Sequence, residues 1–574
     1  MPSPNSADLS LTTYDAIVIG TGISGGMAAY ELCRKGLKTL ILERGRHVAH
    51  GDYPTAGLDT WDFEYQDRIP EDVQQRDYWA LSRKGYIMQE SAIHHFVKDS
   101  EYPYEERQRF DWVRGYQTGG RSLVWGRHCY RLTDIDFTAN AREGVGIDWP
   151  IRYADLAPWY DYVTKFVGIS GRNEGLAHFP DGPFQPPMEL NCAEAQFRDR
   201  VNARFPNRRV TEGRVAHLTG YDPEINLGTR GNCQFRDRCR RGCPYGGYYS
   251  SNSGGLAAAE ATGNLTLVNH AAVSQILYDA DAGRASGVRV RLTDENKEVD
   301  FQTSGVVFLC ASTLNSAALL LNSTSAAQPN GLGNDSDMVG RNIMDHHHRI
   351  GASADFDHHQ DKYYKGRKPN GFYIPRFVNM DAVSKKDYLR GFGYQGGASR
   401  HNWARTVREL QVGPGFKKAL SKPGDWTMGM TGFGECLPNP NNRVTLNHDE
   451  LDKDGLPTLI MDVKFGDNER AMRPDMKAYA AEMLEAAGGK NVREFEGDVY
   501  PGFSIHEMGS ARMGRDPKTS VLNKHNQVWN CRNLYITDGS AMTSSSCVNP
   551  SLTYMAMTAR AVDHAASELK RRNL

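Results

Sequence analysis

A chain of 574 residues is far longer than one hydrophobic core requires, and 39% hydrophobic with 24% charged residues is the balance of a globular protein, so at least two intertwined domains are expected. A formal net charge of −1 provides no global field for nucleic acid or an anionic membrane, and a small neutral substrate fits it better. No apolar run reaches the roughly 20 residues of a membrane span, which argues against direct membrane insertion.

Residues 1–13 are polar and lack the basic start and apolar stretch of a secretory signal. A cytoplasmic location is therefore expected for the chain as it stands, with the periplasm reachable through an exported partner subunit. Residues 14–45 read as strand, tight turn, helix and strand: Ala16 to Ile19 are apolar and β-branched, 27–35 has helical spacing, and 38–42 is apolar again. This βαβ unit carries Gly20-Thr21-Gly22-Ile23-Ser24-Gly25 at its turn. Glycine at these positions lets the chain turn tightly, lets a pyrophosphate approach the backbone and lets helix and strand pack closely, while the helix N-terminus offers free N–H groups. Glu43, ending the second strand, is placed to accept hydrogen bonds from an adenosine ribose. The fingerprint alone does not separate FAD from NAD. No second such unit follows, which argues against one bound dinucleotide reducing another.

Further along, Cys233-x5-Cys239-x3-Cys243-Pro244 lies in a basic loop with Arg236, Arg238, Arg240 and Arg241. Three thiols this close, followed by proline, suit iron–sulfur ligation; a three-cysteine zinc knuckle and unligated thiols are the alternatives. The other seven cysteines stand singly and read as small buried hydrophobes. Residues 264–270, 274–279 and 285–292 alternate like strands, and Gly305 to Cys310 reads as a buried strand before a helix over 314–322, extending the nucleotide-binding layer. His346-His347-His348 and His358-His359 are not read as a metal site, because successive side chains on a strand face opposite ways. The stretch 345–464 contains alternating runs such as 429–434 and 443–447, predicting an antiparallel sheet in a substrate domain. Asn533 to Thr537 is a short strand, and 551–570 a closing helix. The expected fold class is α/β, with a Rossmann-like nucleotide domain interleaved with an antiparallel-sheet substrate domain. The first would use 14–130, 231–345 (which includes the cysteine loop) and the catalytic 501–574; the second would use the lid region 131–230 and the sheet 346–500.

Several segments together resemble the glucose-methanol-choline (GMC) family of FAD-dependent oxidoreductases nearly end to end. They are the Gly20 fingerprint with Glu43-Arg44-Gly45, Arg114 to Gly126, Val339-Gly340-Arg341-Asn342, and the block from His506-Glu507-Met508-Gly509-Ser510 through Asp538-Gly539-Ser540 to Asn549-Pro550. Within the family the likeness is greatest to bacterial sugar dehydrogenases and pyranose oxidases, in particular glucoside 3-dehydrogenases. The resemblance implies Gly20, Gly22 and Gly25 at the pyrophosphate, Glu43 at the ribose, and Val273 against the adenine. It also implies Gly119, Gly120 and Ser122 beside the flavin, and Asp538 and Gly539 near the pyrophosphate and ribityl chain. Where some pyranose oxidases carry a histidine bonded to the flavin, this chain has Val124, so non-covalent FAD is expected.

Removing hydride from an alcohol requires its hydroxyl proton to leave, and a base must sit within hydrogen-bond reach of that oxygen. The resemblance assigns this to His506, with Asn549 holding the same oxygen without titrating, and places the dipole of the helix from about Ser551 near the flavin. Sugar-binding groups are not located; Glu435 and Arg127 are the nearest candidates. Related multi-subunit sugar dehydrogenases hold a 3Fe-4S cluster on a cysteine cluster at the equivalent place, implying metal ligation by Cys233, Cys239 and Cys243. The implied activity is oxidation of a secondary ring hydroxyl of a sugar or glycoside, at C3 to a 3-keto-glycoside. Electrons would pass through the cluster to a cytochrome, a quinone or a small partner subunit. The alternatives are an oxidase that reduces O2 to peroxide with a structural cysteine loop, and a redox-inert partner protein.

Overall fold

The computed structural model describes residues 11–362, 371–400, 413–420 and 423–574; residues 1–10 and parts of the 345–464 stretch (363–370, 401–412 and 421–422) lie outside the described residues. The first sheet is built around Thr13–Ile19, whose residues from Ala16 to Val18 are fully buried. Such a strand, apolar on both faces, demands cover on both faces and so sits centrally in a parallel sheet. It pairs in parallel with Thr39–Leu42 on one side and Lys297–Leu309 on the other, and Leu265–Val268 and Cys531–Ile536 extend the parallel order outward. The long strand Lys297–Leu309 changes partners along its length. Its N-terminal half runs antiparallel to Arg284–Leu292, which pairs back with Ala271–Asp279, and its C-terminal half enters the parallel core.

The helix after the first strand is Ile23–Arg34, beginning four residues before the expected start. Gly25 and Gly26 lie within it because the turn leaves no room for side chains: a Cβ on Gly25 would stand 1.8 Å from the Gly20 carbonyl oxygen. The closing helix Ser551–Lys570 packs its small buried face of Ala and Met residues against Ile23–Arg34 and against Tyr153–Val167.

The second sheet is wholly antiparallel, in the order Lys490–Glu496, His347–Phe356, Trp426–Gly434, Phe392–Arg400, Phe372–Ile374, Thr211–Glu212. One face is covered by Asp467–Ala486, which buries Met472, Met476, Ala480 and Met483. One expectation is corrected. Arg443–Leu451 does not join this sheet but pairs with Pro457–Asp462, which pairs with Glu105–Glu106, forming a separate small sheet. Leu446, Pro457, Thr458 and Leu459 from it line the same cavity as the glycine-rich turn. The alternation was correctly read as strand, but its partner follows across the short turn of Asp454-Gly455, a local hairpin signal, and only Glu105–Glu106 comes from a distant part of the chain.

Candidate active site

The glycine-rich turn opens one end of a cavity of about 670 Å³ that runs between the two large sheets. Gly20 has φ +95°, and a Cβ there would come within 2.6 Å of the Cys310 carbonyl oxygen, so the position accepts only glycine. Gly22 differs: its missing Cβ would point into open space, and the residue forms part of the cavity wall. The backbone is therefore bare where a pyrophosphate would lie, at the N-terminus of a twelve-residue helix.

Glu43 is buried on the same wall. It accepts hydrogen bonds from the Gly45 amide (3.0 Å), the Thr21 amide (3.3 Å) and the Thr21 hydroxyl, and burial raises its pKa against these donors. Arg44 stacks over Tyr116 and Tyr102 and is held by Asp452 and Asp454 at 2.8 and 2.6 Å. This ties the small sheet to the cradle. Val273 lines the cavity.

Gly120 and Ser122 also reach the wall, whereas Gly119, at φ +86°, stands behind it, its amide donating to Thr21 Oγ1 at 2.9 Å. The Ser122 hydroxyl is consumed locally, donating to Gly119 O at 2.6 Å and accepting from the Ser251 amide at 2.9 Å. Asp538 lines the cavity and accepts from Ser316 Oγ at 2.6 Å and from the Ser540 amide at 2.9 Å. Gly539 follows it on the wall, packed so closely that a Cβ would meet Thr313 Oγ1 at 2.4 Å. Pro550, Ser551 and Tyr554 bring the N-terminus of the closing helix to the same cavity.

At the other end His506 and Asn549 face one another, with Asn549 Nδ2 3.4 Å from His506 Nε2. They are 43 residues apart, and on the histidine side Asp345 gathers the backbone. Its carboxylate accepts from the amides of His346 (2.8 Å), Ser504 (3.1 Å) and His506 (3.1 Å). Ile505, immediately before the histidine, has φ +65°, a conformation costly for a β-branched residue. Burial pushes the His506 imidazole well below its ordinary pKa, reinforced by His346, His348, Arg121 and His128. Burial likewise lowers Lys84 to about 8, while burial with Glu507 nearby raises Asp345 to about 7. Glu507 in turn pairs with Arg121 at 2.9 Å. The base at the cavity wall is thus held in its uncharged form.

Several residues given no role at the site by the sequence stand here, two of them from the histidine run not read as a metal site. His346 Nδ1 lies 2.9 Å from His506 Nδ1, and Gln395 Nε2 donates to Asn549 Oδ1 at 2.6 Å. His348 stacks on Phe433, and the shielded Thr431 hydroxyl has no hydrogen-bond partner among the described residues. Gln395, Thr431 and Phe433 alternate on neighbouring strands of the antiparallel sheet, the one sequence signal that these side chains share a face. The histidine run obeys the same alternation: His346 and His348 turn toward the site, while His347 packs on Phe465.

Glu435 is absent from the cavity wall. It is buried between Arg390 and Arg376, accepts from the Ser546 amide at 3.1 Å, and is raised to about 7 by burial. Arg127 does line the cavity, with its guanidinium over Tyr248 and donating to Cys239 O at 3.3 Å.

That bond joins the cavity to the cysteine loop. Each of its four arginines is spent on a neighbouring segment: Arg236 and Arg241 on the carbonyls of Ala56 and Leu58, Arg238 on Asp59, and Arg240 on Tyr86 O. Cys233 and Cys243 lie near enough to Cys239 to add to burial in raising its thiol pKa. Among the described residues no group of three or more His, Cys, Asp or Glu side chains is arranged to hold a metal ion, so the ligation expected for Cys233, Cys239 and Cys243 has no support in the geometry. Burial instead pushes the Cys239 thiol up to about 11. Of the single cysteines, all are buried except Cys192, which is partly exposed.

A cavity that runs from a bare glycine turn at a helix N-terminus to an uncharged imidazole fits the class of oxidoreductases that take hydrogen from a substrate onto a bound dinucleotide. The chain belongs to the GMC oxidoreductase family: its amino-terminal family model matches residues 14–348 and its carboxy-terminal one residues 438–558. It is accordingly an FAD-dependent oxidoreductase acting on CH–OH groups. It is 28% identical to 2-methyl-1,2-propanediol dehydrogenase of Mycolicibacterium austroafricanum, covering 96% of this chain and 94% of that one. It is 25% identical to the fructose dehydrogenase large subunit of Gluconobacter japonicus, covering 97% and 98%. Among solved structures, Aspergillus oryzae formate oxidase has the same fold at 14% identity and a TM-score of 0.60, covering 98% of this chain and 99% of that one.

Proposed function

We propose that this protein dehydrogenates a secondary ring hydroxyl of a sugar or glycoside, at C3, with His506 as the base and Asn549 as the group that orients the alcohol oxygen. The observation that carries the reading is the approach of Asn549 Nδ2 to His506 Nε2 at the cavity wall. A hydroxyl placed between them gives its proton to the imidazole and accepts from the carboxamide, so the developing alkoxide is met by a donor that carries no charge of its own. Gly20, Gly22, Glu43 and Asp538 would hold FAD, which when bound would supply the acceptor for the C–H hydride. Val124 on the cavity wall has no nucleophile to offer the flavin, which supports a non-covalent cofactor.

Sugar chemistry is favoured by the uncharged polar groups of Gln395, Asn549 and Thr431 on the same wall, suited to neutral hydroxyls. Relatives named for sugar substrates point the same way: the fructose dehydrogenase large subunit, and the gluconate 2-dehydrogenase flavoprotein of Pantoea cypripedii at 24% identity. The name "large subunit" also supports a partner subunit. Among the described residues no helix is long and apolar enough to cross a membrane, so attachment there would fall to such a partner. An iron–sulfur exit from the cysteine loop is supported by the family resemblance and by the Arg127 link, whereas the side chains of the loop form no metal-holding group among the described residues.

The second reading, an oxidase that passes electrons to O2, is favoured by the lack of a metal-holding group among the described residues and by the 24% identity to paromamine 6'-oxidase of Streptomyces fradiae. Anaerobic mixing of the holoprotein with a panel of glycosides, small diols and primary alcohols tests the function. Flavin bleaching by glycosides, product oxidised at C3, and a fall of about 10²- to 10⁴-fold in bleaching rate for His506→Ala are expected. Oxidation solely at C1 or C2 overturns the C3 assignment, and stoichiometric peroxide in air selects the oxidase.

A further inference from the structure

His506 can work as a base only if its Nε2, the nitrogen beside Asn549, carries no proton. A neutral imidazole has one N–H, and which nitrogen bears it is decided by the partner on the other side of the ring. That partner is His346, whose ring is fully buried and uses both of its nitrogens. Nε2 lies 2.9 Å from the Ser546 carbonyl oxygen and 3.4 Å from that of Ser545, and Nδ1 lies 2.9 Å from His506 Nδ1. A carbonyl oxygen can only accept, so His346 Nε2 is the protonated nitrogen. Burial keeps this ring neutral, with a pKa lowered to about 4, and its Nδ1 is therefore a bare acceptor. The hydrogen in the 2.9 Å contact then belongs to His506 Nδ1, leaving His506 Nε2 with its lone pair toward the cavity.

The other end agrees. Asn549 Oδ1 is occupied by the Gln395 amide at 2.6 Å, so its Nδ2 is the atom presented to His506 Nε2, a donor facing a lone pair. From Gln395 through Asn549, His506 and His346 to the Ser546 carbonyl, every hydrogen points the same way. Ser546 and Asn549 sit in one short loop, so the row of bonds closes on itself.

Building on the proposed function, we infer that His346 is a positioning residue that fixes His506 in its Nδ1–H tautomer and supports the imidazolium formed when Nε2 takes the substrate proton, while Gln395 fixes the amide of Asn549 in the matching sense. The step balances within the chain. The alcohol O–H bond breaks, the new N–H bond forms at His506 Nε2, and the positive charge is shared through the Nδ1–H bond to the His346 lone pair. A neutral imidazole does here what a carboxylate does in other hydrogen-bonded histidine pairs, without adding a buried charge.

Two measurements on the holoenzyme test this. Solid-state NMR of histidine-labelled protein, compared with His506→Asn to identify the resonance, should show His506 protonated on Nδ1 and bare at Nε2; an Nε2–H tautomer overturns the inference. The second measurement is the anaerobic flavin reduction rate at saturating alcohol for three variants. An asparagine at 346 places its amide oxygen where Nδ1 was and still accepts from His506, whereas glutamine reaches the Ser546 side and leucine offers nothing. His346→Leu and His346→Gln should therefore lose about 10²-fold or more, with alcohol affinity little changed, and His346→Asn should return to within about tenfold of the parent. A glutamine variant as fast as the asparagine one, or a leucine variant within about threefold of the parent, overturns it. Should the leucine variant fail to load FAD, the asparagine and glutamine pair still decides. If no alcohol bleaches the parent flavin, the proposed function falls, while the tautomer is still decided by NMR.

Discussion

Two polar, glycine-containing loops border the same cavity, and they differ in how they relate to it. The turn at 20–25 is shaped by contacts between backbone atoms: Gly25 lies against Gly20, and Gly20 against Cys310, at distances no side chain permits. The loop at 233–243 is shaped by its arginines, which reach outward to Ala56, Leu58, Asp59 and Tyr86. Spacing in sequence is a sound guide in the first because the backbone itself makes the site. In the second, function would require three side chains to converge, and spacing does not determine convergence.

The largest effect that sharpens this contrast is expected at Gly25. Gly25→Ala forces a methyl group into the Gly20 carbonyl, and the purified protein should carry no FAD, read as the loss of its flavin absorbance; full flavin content would break the argument that backbone contact defines the cradle. A smaller effect is expected at Cys239. Because burial, with the neighbouring Cys233 and Cys243 adding to it, raises this thiol to about 11, the neutral form dominates at physiological pH, and the reactive thiolate grows as pH rises toward that value. Iodoacetamide labelling of Cys239, followed by mass spectrometry, should accelerate about tenfold per pH unit between 8 and 10. A pH-independent block would mean the thiol is ligated. The smallest effect is expected from replacing Cys233, Cys239 and Cys243 together with serine: FAD content and anaerobic flavin reduction should stay within about twofold of the parent. Iron in the parent at a fixed ratio to flavin, lost in this variant together with turnover to an external acceptor, would show that the loop gathers around a cluster after all.

Much of the fold was legible in the chain because its signals are local. Ala16 to Ile19, apolar on both faces, had to be a central strand, and the alternation at 429–434 had to be a half-buried one. The small sheet of Arg443–Leu451 was missed although the Asp454-Gly455 turn leading into Pro457–Asp462 is a local hairpin signal; its third strand, Glu105–Glu106, carries no such signal. At the site, His506 and Asn549 came from motif position, but the groups that orient them did not. His346 was passed over as part of a histidine run rejected for metal binding, and Gln395 carries no motif at all.

Sequence alone determined the dinucleotide turn, its acidic partner at Glu43 and the strand pattern, because each depends on residues close together in the chain or on the absence of a side chain. Tertiary structure alone decided the rest: that Asp345 draws the His346 and His506 amides to one carboxylate, that Glu435 braces Ser546 from within the protein, and that Cys233, Cys239 and Cys243 do not form a metal-holding group. The Asp345–His506 and Glu435–Ser546 contacts join residues more than a hundred positions apart, and the cysteine loop shows that side-chain direction escapes spacing even within the short stretch 233–243. Direction of that kind is set by packing between sheets, which no local pattern of residues encodes.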